Sequence, residues 1–382
     1  MAPMKSLLFV TVLVATVSVV AAARRCGGDA VGVVGAGATI GICYGRVANN
    51  LPSPREVVDL LGSRGVTDVK IYDATTDIVH AFANSGITLS VAISNRGVTT
   101  MANSQDAAND WVQRYVRPHS HIGSIGVGNE YLSDHGNDAS KLVPAMRNVQ
   151  RALESVGLGH IKVSTPYAFG LISRSYPPSA GEFADNVKSV TREVLEFVQE
   201  KNSVFMVNIY PFFSYKNNPH EISLDYALFN PNAPTVWDSG RQYRNLFDAQ
   251  VDAVYAAMDR LGYGDTKLMI TESGWPSNGG ATGANNDNAR TYNNNLVKHV
   301  LRNGTPRRPN DRIKTFIFAL FNENEKHGEP EERNFGLYYP DRRPVYHIDL
   351  SVSSSSAADR NVTVSVTGDR PADANFRSQA VE

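Results

Sequence analysis

Two glutamates that each follow a short apolar run are the residues of this chain best suited to acid–base chemistry. Glu272 follows the run 268–270, and a glycine and a proline then end the strand that this run predicts. Glu130 follows the glycine-rich run 122–128 in the same way. Each glutamate alone also fits an ordinary strand end with a solvated side chain. If both strands end at one rim of a barrel, the two carboxylates lie together. A pair of carboxylates is the minimum needed to cleave a glycosidic bond.

The elements that must position these carboxylates alternate between strands and helices. Near-continuously apolar runs predict eight strands, at 40–44, 69–72, 87–93, 122–128, 161–165, 204–210, the run ending at Glu272, and 313–321. Ser53 and Glu56 predict a capped helix start, and the four-and-three apolar spacing over 142–156 predicts a longer helix. This order predicts a single α/β domain over 40–350, a (β/α)8 TIM barrel with Glu130 ending the fourth strand.

Composition and the chain ends limit the possible partners. The chain has 382 residues, 42% hydrophobic, with a net charge of −1, so we expect one large core and no nucleic-acid partner. Residues 1–23 read as a signal peptide, with cleavage possibly as late as 38, and a retained membrane anchor is the alternative. After cleavage we expect no membrane association. Residues 351–382 read as a disordered tail or propeptide.

Cofactor and metal sites are not indicated by the sequence. The glycines of the lead-in 24–39 imitate a dinucleotide-binding loop, but no helix follows them, so we expect no cofactor. His119, His121 and His135 are close in sequence but lack the spacing of a metal site. Cys26 and Cys43 are the two cysteines, and whether they pair is left open because late cleavage would remove Cys26.

Six stretches in this order carry a resemblance to a known family: 40–45, 127–130, 207–213, 271–277, 321–326 and 334–340. They include Val-Gly-Asn-Glu at 127–130 and Thr-Glu-Ser-Gly-Trp-Pro-Ser at 271–277. On these stretches the chain resembles the plant endo-1,3-β-glucanases of glycoside hydrolase family 17. The resemblance covers about residues 40–350 and implies the same barrel and a hydrolase that retains anomeric configuration.

The resemblance also implies roles for individual residues. Glu272 would be the nucleophile and Glu130 the general acid/base, in a mechanism that needs the two carboxyl groups about 5 Å apart. Asn129 would donate to a sugar hydroxyl, and Tyr210 would hydrogen-bond the nucleophile. Four aromatic residues would line the groove, with core packing as the alternative: Tyr44, Phe212, Trp275 and Phe335. Glu323, Lys326 and Glu332 would lie near the cleft, with an exposed salt-bridge network as the alternative.

Several functional questions stay open from the sequence. A β-1,3-1,4-glucanase on the same scaffold and a non-catalytic β-glucan-binding protein are the alternatives to a β-1,3-glucanase. We expect a monomer that enters the secretory pathway and reaches the cell wall or the vacuole. Asn303 and Asn361 begin glycosylation tripeptides. A part in plant defence, callose turnover or germination is not distinguished.

Overall fold

The computed structural model describes residues 39–350, and parallel strands at its centre form one sheet that curves into a barrel. The barrel strands are β1 (Ile40–Tyr44), β2 (Asp68–Ile71), β3 (Thr88–Ile93), β4 (Ile122–Val127), β5 (Lys162–Ser164), β6 (Pro166–Ala168), β9 (Phe205–Asn208), β12 (Leu268–Ser273) and β13 (Thr315–Ile317). Nearly all their residues are buried. Strands buried on both faces need the near-continuous apolar runs seen in the sequence.

The strand order shows how the barrel closes. β1 pairs with β2 and β13, and the sheet then runs through β12 and β9 to β6 on one side and through β3 and β4 to β5 on the other. β5 and β6 are separated in the chain only by Thr165. They therefore act as one interrupted strand, which joins the two ends of the sheet. The predicted (β/α)8 barrel is confirmed, with its fifth strand split in two.

Helices cover the outside of the barrel between successive strands. They are α1 (Pro54–Ser63), α2 (Thr76–Ala81), α3 (Asn95–Asn103), α4 (Gln105–Tyr115), α5 (Leu142–Ser155), α6 (Asp185–Glu200), α7 (Pro211–Asn217), α8 (Leu224–Ala227), α9 (Leu246–Arg260) and α10 (Asn286–Arg302). The predicted capping box of α1 is present, because Ser53 and Glu56 exchange hydrogen bonds with each other's backbone. Apolar residues at helical spacing place one face of α5 in the core.

The structure also contains two short antiparallel strand pairs outside the barrel sheet, which the sequence did not predict. β7 (Ile172–Arg174) pairs with β8 (Glu182–Phe183), and β10 (Val236–Asp238) pairs with β11 (Arg241–Tyr243). Strands of two or three residues carry too little periodicity to be read from a sequence.

The last barrel strand is shorter than expected, since β13 ends at Ile317 rather than near 321. Beyond Ile317 the backbone bonds alternate between partners: Ala319 N–H donates to Phe335 O, and Leu320 N–H donates to Cys43 O. The segment that contains Phe335 therefore takes part of the backbone hydrogen bonding, and the regular pairing of β13 with its neighbouring strands ends here. The signal peptide, nearly all of the lead-in and the tail 351–382 lie outside the described residues, so the domain bounds remain a prediction.

Candidate active site

A cavity of about 670 Å³ opens at the carboxyl ends of the barrel strands. Of the residues predicted from the sequence, it is lined by Asn129, Glu130, Tyr210, Glu272, Glu323, Lys326, Glu332 and Phe335. Residues that follow most of the other barrel strands complete its wall. The carboxyl ends of the strands carry the active sites of characterised TIM-barrel enzymes. The cavity is therefore the candidate active site.

Glu272 is held by three donors from the carboxyl ends of two other strands, β2 and β9. Lys70 Nζ and Tyr72 OH donate to Oε1 at 2.7 and 2.8 Å, and Tyr210 OH donates to Oε2 at 2.6 Å. Lys70 Nζ also donates to Asn129 Oδ1 at 2.9 Å. Charge-assisted bonds of this kind orient a carboxylate and stabilise its charged form. Both carboxylate oxygens of Glu272 are thus positioned before any ligand arrives.

An irregularity in β12 lets two consecutive side chains contact residues of the site, although only Glu272 lines the cavity. Ile270 pairs with Val207 but Glu272 pairs with Asn208, so β12 holds one extra residue at this point. In a regular strand neighbouring side chains point to opposite faces, and a bulge re-aims them. Here Thr271 Oγ1 donates to Asn208 Oδ1 at 2.7 Å, while Glu272 faces its own three donors.

Asn208 links this strand to the second glutamate. Its Nδ2 donates to Glu130 Oε1 at 2.7 Å, and its Oδ1 is occupied by Thr271. The two ends of one amide therefore join Glu130 to the residue that precedes Glu272. Since Thr271 supplies the hydroxyl proton, the Asn208 amide group is held with its NH₂ toward Glu130.

The backbone at Glu130 adopts a conformation that side chains rarely take. Its φ is 51°, in the left-handed region, and Gly128 before it has φ of 75°. A Cβ at Gly128 would lie 3.0 Å from Asn95 Oδ1, which accepts from the N–H of Asn129 at 2.8 Å. Asn95 Nδ2 in turn donates to Asn129 O at 3.1 Å. A left-handed conformation at a residue other than glycine persists only where the surrounding hydrogen bonds and packing hold it, and it is typical of functional sites.

The surroundings shift the pKa values of the two glutamates in opposite directions. Burial, followed by the nearby charge of Glu272, raises the pKa of Glu130 above its usual value. Burial alone would also raise the pKa of Glu272, but the charge of Lys70 and the hydrogen bonds from Lys70, Tyr210 and Tyr72 outweigh it, and this pKa is lowered. A pair of carboxyl groups pushed apart in this way is suited to one acid and one base or nucleophile.

Three charged residues at the last strand form a second part of the cavity wall. Glu323 is buried and accepts from Val47 N–H at 2.8 Å, and burial raises the pKa of Glu323. Lys326 Nζ lies 3.9 Å from the carboxylates of both Glu323 and Glu332, and 4.0 Å from the ring centroid of Phe318. The alternative of an exposed salt-bridge network does not fit, because Glu323 is buried and all three charged residues line the cavity.

Three aromatic residues expected at the groove are buried and do not line the cavity: Tyr44, Phe212 and Trp275. Trp275 has 0% exposure, donates Nε1–H to Gly283 O at 2.8 Å, and packs against Phe212 at 5.2 Å between ring centroids. Tyr44 packs edge-on against Phe321 at 6.2 Å. Core packing is the arrangement found for these three, because each is buried and packs against a neighbouring aromatic ring.

Phe213 lines the cavity in place of Phe212. Both residues belong to α7, where successive side chains point about 100° apart, so the two rings lie on different faces of the helix. Phe335 reaches the cavity as expected, and Phe169 and Phe318 add two further rings to the wall. The site therefore has an aromatic lining, built partly from residues that the sequence did not single out.

Lys70, Tyr72 and Asn208 are site residues that sequence reasoning missed. A signal for the first two was present, since a lysine in an otherwise apolar strand is unusual and needs a partner. Lys70 and Tyr72 are two residues apart, which places their side chains on one face of an extended chain. For Asn208 no local signal exists, because its partners lie on two other strands.

No group of three or more His, Cys, Asp or Glu side chains within residues 39–350 is arranged to hold a metal ion. His119 packs edge-to-face against His80 and His121, at 4.9 and 5.6 Å between ring centroids. Cys43 is buried, with Sγ 3.4 Å from Thr271 O. In the same described range, no helix is long and apolar enough to cross a membrane.

Comparison with known proteins gives the family. The model of the glycosyl hydrolases of family 17 matches residues 40–350. The chain belongs to this family. A family-17 relative, glucan endo-1,3-beta-glucosidase 13 of Arabidopsis thaliana, is 42% identical over 84% of this chain, which spans 65% of that relative's length. Glucan endo-1,3-beta-glucosidase B of Solanum lycopersicum is 44% identical over 83% of this chain and 88% of its own length.

The solved structure of a similar protein agrees with the barrel. The β-1,3-glucanase and allergen of Cryptomeria japonica pollen shares 48% identity and superposes with a TM-score of 0.80. The match covers 82% of this chain and 100% of that protein. This family-17 chain is thus a glycoside hydrolase with the predicted fold.

Proposed function

We propose that this protein is an endo-1,3-β-glucanase that cleaves β-1,3-glucan with retention of anomeric configuration. The proposal rests above all on one observation: Glu130 and Glu272 line one cavity, with the pKa of Glu130 raised and the pKa of Glu272 lowered. The relatives named as glucan endo-1,3-beta-glucosidases support the choice of linkage. A protein that only binds glucan has no need for two carboxyl groups whose pKa values are shifted in opposite directions.

In the first step Glu272 acts as the nucleophile. Its Oε2 accepts one hydrogen bond, from Tyr210, whereas Oε1 accepts two, so Oε2 keeps the freer lone pair for attack. The Oε2–C1 bond forms while the glycosidic C1–O bond breaks, and the proton of Glu130 passes to the departing oxygen. Lys70 and the two tyrosines orient the carboxylate without being consumed.

In the second step water replaces the enzyme on the sugar. Once Glu272 is esterified its negative charge is gone, and with it the repulsion that helps to keep Glu130 protonated. Glu130, now ionised, takes a proton from water, whose oxygen bonds to C1 while the Glu272 carboxylate departs. Two inversions at one carbon give net retention, and both side chains return to their starting states.

We assign substrate contacts to residues of the cavity wall. Asn129, held by Lys70 and Asn95, is placed to meet a sugar hydroxyl beside the bond that is cleaved. Phe335 and Phe213 offer apolar ring surface to the faces of glucose rings. Asn129, Tyr210, Glu323, Lys326, Glu332 and Phe335 remain the proposed substrate-binding set, with no cofactor.

We further propose a monomer that enters the secretory pathway through a signal peptide at residues 1–23 and acts outside the cell or in the vacuole. The exposed Asn303, just after α10, is a suitable glycosylation position. Peptide sequencing of the secreted protein would establish the mature N-terminus. Size-exclusion chromatography with light scattering would establish whether it is a monomer.

The central experiment compares two polymers with one enzyme preparation. Release of reducing ends from laminarin, with oligosaccharides as early products, is expected to exceed release from barley mixed-linkage glucan by at least about 100-fold. Comparable rates on both would favour the β-1,3-1,4-glucanase instead. Tight binding of laminarin with no cleavage of either polymer would favour the binding protein and overturn the proposal.

A further inference from the structure

A groove of about 410 Å³ is lined by Asn50, Tyr339, Pro340, Asp341 and Arg343. None of these residues belongs to the lining of the catalytic cavity. The groove is called here the rim groove. Its volume falls within the range of about 300–1,000 Å³ for small-molecule sites. The mechanism described above makes no use of it.

The rim groove lies at the same end of the barrel as the catalytic cavity. Tyr338 pairs in parallel with Phe321, which follows β13, and Asn322 N–H donates to Tyr338 O at 3.1 Å. The two segments therefore run side by side toward the carboxyl ends of the barrel strands. One continues to Glu323, which lines the catalytic cavity, and the other continues to Tyr339, which lines the rim groove.

A short uncharged segment connects the catalytic cavity to the rim groove. Val47 lines the cavity and Asn50 lines the groove, and three residues span at most about 11 Å. Residues 47–50 carry no charged side chain. Asn49 is tied to the loop after β13, because Asn324 Nδ2 donates to Asn49 Oδ1 at 2.8 Å and Asn49 N–H donates to Asn324 Oδ1 at 3.2 Å. Val47, Asn49, Asn50 and Asn324 are all exposed, so this connection is open to a ligand.

Tyr339 presents an exposed ring that a tight turn holds in place. Its N–H donates to Arg343 O at 2.9 Å, and Arg342 N–H donates to Tyr339 O at 2.8 Å. The Arg343 guanidinium lies over the ring, 5.7 Å from its centroid, and Arg343 Nε donates to Asp341 Oδ2 at 2.7 Å. Tyr339 is nevertheless 40% exposed, and Val47 at the other end of the connection is 46% exposed. These two are half of the large hydrophobic side chains that are exposed within residues 39–350.

The chemistry of this surface suits a neutral sugar chain. An aromatic ring offers an apolar face to a sugar ring, and the amides of Asn49 and Asn50 supply donors and acceptors for hydroxyl groups. The charge of Arg343 is paired with Asp341 at 2.7 Å, so the rim groove offers an anion no unpaired cation.

We propose that the rim groove is a distal subsite, which binds a glucosyl residue of the same glucan chain that occupies the catalytic cavity. The chain would cross residues 47–50 and stack one sugar on Tyr339. This inference rests on the proposed function, because it requires a glucan in the catalytic cavity. Oligosaccharides short enough to sit in that cavity do not reach Tyr339, whereas longer chains do, so Tyr339 determines a preference for long substrates.

The first test measures binding in a Glu272→Gln background, which leaves the oligosaccharides intact. Calorimetry compares laminaritriose, laminariheptaose and laminarin for the parent and for Tyr339→Ala in that background. Tyr339→Ala should weaken binding of the two long probes about 3- to 10-fold and leave laminaritriose within about twofold of the parent. Tyr339→Phe keeps the ring and should bind all three probes as the parent does.

The second test follows the position of cleavage in protein that retains Glu272. Laminariheptaose labelled at its reducing end is cut by wild type and by Tyr339→Ala, and the labelled products are separated by length. Loss of a distal subsite removes the alignments that reach it. A shift to longer labelled products places the non-reducing end of the chain at the rim groove, and a shift to shorter ones places the reducing end there; either shift supports the subsite.

The matched control is Trp237→Ala. This ring is 69% exposed on β10 and lines neither the catalytic cavity nor the rim groove. Its removal should change neither the affinities nor the product pattern. The melting temperature of Tyr339→Ala should stay close to that of wild type, because the backbone bonds of the turn remain.

Failure of this inference differs from failure of the proposed function. The subsite requires both changes, so unchanged affinity for the long probes or an unchanged product pattern overturns it. An equal loss of affinity for laminaritriose also overturns it, because the substitution would then have disturbed the catalytic cavity itself. If wild type releases no reducing ends from laminarin, the proposed hydrolase activity is wrong, and the calorimetry alone decides whether the rim groove binds glucan.

Discussion

Lys70 Nζ lies 2.7 Å from Glu272 Oε1, and the two side chains are only 3% and 7% exposed. The same ammonium group donates to Asn129, the neighbour of Glu130. One buried cation from β2 therefore supports the carboxylate of β12 and the residue that precedes the proposed acid. Because the charges are shielded from water, their interaction is much stronger than that of a surface pair.

Lys70→Met should impair both stability and catalysis. Removal of one partner leaves Glu272 buried without its countercharge, which costs about 3–5 kcal/mol of the free energy of unfolding. The pKa of Glu272 should rise, since Lys70 is the largest influence lowering it. The acidic limb of the activity profile should then move to higher pH, with about a 100-fold loss of kcat/KM on laminarin.

The double variant Lys70→Met with Glu272→Gln tests the same pair through stability. It should recover part of the unfolding free energy lost by Lys70→Met, because the unpaired charge is gone. Additive losses in denaturant unfolding would show that the two groups are not energetically coupled.

Glu272→Ala should lose activity by about 10⁴-fold or more, because the proposed mechanism makes Glu272 the nucleophile. Added azide should enter the vacated space and attack C1 directly, giving an α-glucosyl azide from an activated β-glucoside. Glu130→Ala with azide should instead give the β-azide, because Glu272 still forms the first bond. Proton NMR of the products distinguishes the anomers. Glu193→Gln, on an exposed face of α6, is the control and should be fully active. The β-azide from Glu272→Ala would contradict the assignment.

Asn208→Ala should move the alkaline limb of the activity profile to higher pH. The proposed mechanism requires protonated Glu130, whose pKa is raised by burial, while the hydrogen bond from Asn208 acts in the opposite direction. Loss of that bond removes a preference for the charged form, so the pKa rises further. Thr271→Val, which frees the amide group of Asn208 to turn, should shift the limb in the same direction by a smaller amount. A shift to lower pH in either variant would contradict this reading of the network.

Gly45→Ala should disturb Glu323 and through it the cavity wall. A Cβ at Gly45 would lie 2.4 Å from the Glu323 carboxylate, which accepts from Val47 N–H. Forcing this buried group aside should cost about 1–3 kcal/mol of stability and reduce laminarin turnover. Gly62→Ala, in α1 with nothing within 4 Å of the new Cβ, is the control and should have little effect. Equal melting temperatures for both variants would contradict the prediction.

Asp252 should make the protein less stable as the pH rises from about 4 to 6. Burial raises the pKa of Asp252 to about 6 in the folded state, against 3.8 for an ordinary aspartate. The folded state therefore favours the proton, and this contribution to stability, full below pH 3.8, is lost as the pH rises through 6. The melting temperature of wild type minus that of Asp252→Asn should fall over this range. An equal difference in melting temperature at about pH 4 and pH 6 would contradict this prediction.

Local pattern was sufficient for the barrel and for its main catalytic candidates. The strand-period and helix-period runs depend on neighbours in the chain, so they predicted the alternation of elements and the capping box at Ser53. Glu130 and Glu272 were recognisable because each follows an apolar run and stops it with a charge. Strand ends in a (β/α)8 barrel meet at one rim, which brings such residues together without further information.

Side-chain direction was where sequence reasoning failed. Trp275 and Phe212 have the residue type of a sugar-binding surface, but whether an aromatic ring faces a cavity or the core depends on what packs against it. The direction of the Thr271 side chain was equally unpredictable. It reaches Asn208 because β12 holds one extra residue at this point. No periodic pattern reports such a shift, since it arises from pairing with two other strands.

The sequence by itself determined the barrel, the family and the two acidic side chains at its rim, because these follow from local periodicity and from short contiguous motifs. Only the tertiary structure decided that Lys70 and Tyr72 donate hydrogen bonds to Glu272 and that Asn208 donates one to Glu130. The physical reason is that protonation and ligand recognition depend on distances through space between groups far apart in the chain, which the fold alone brings together.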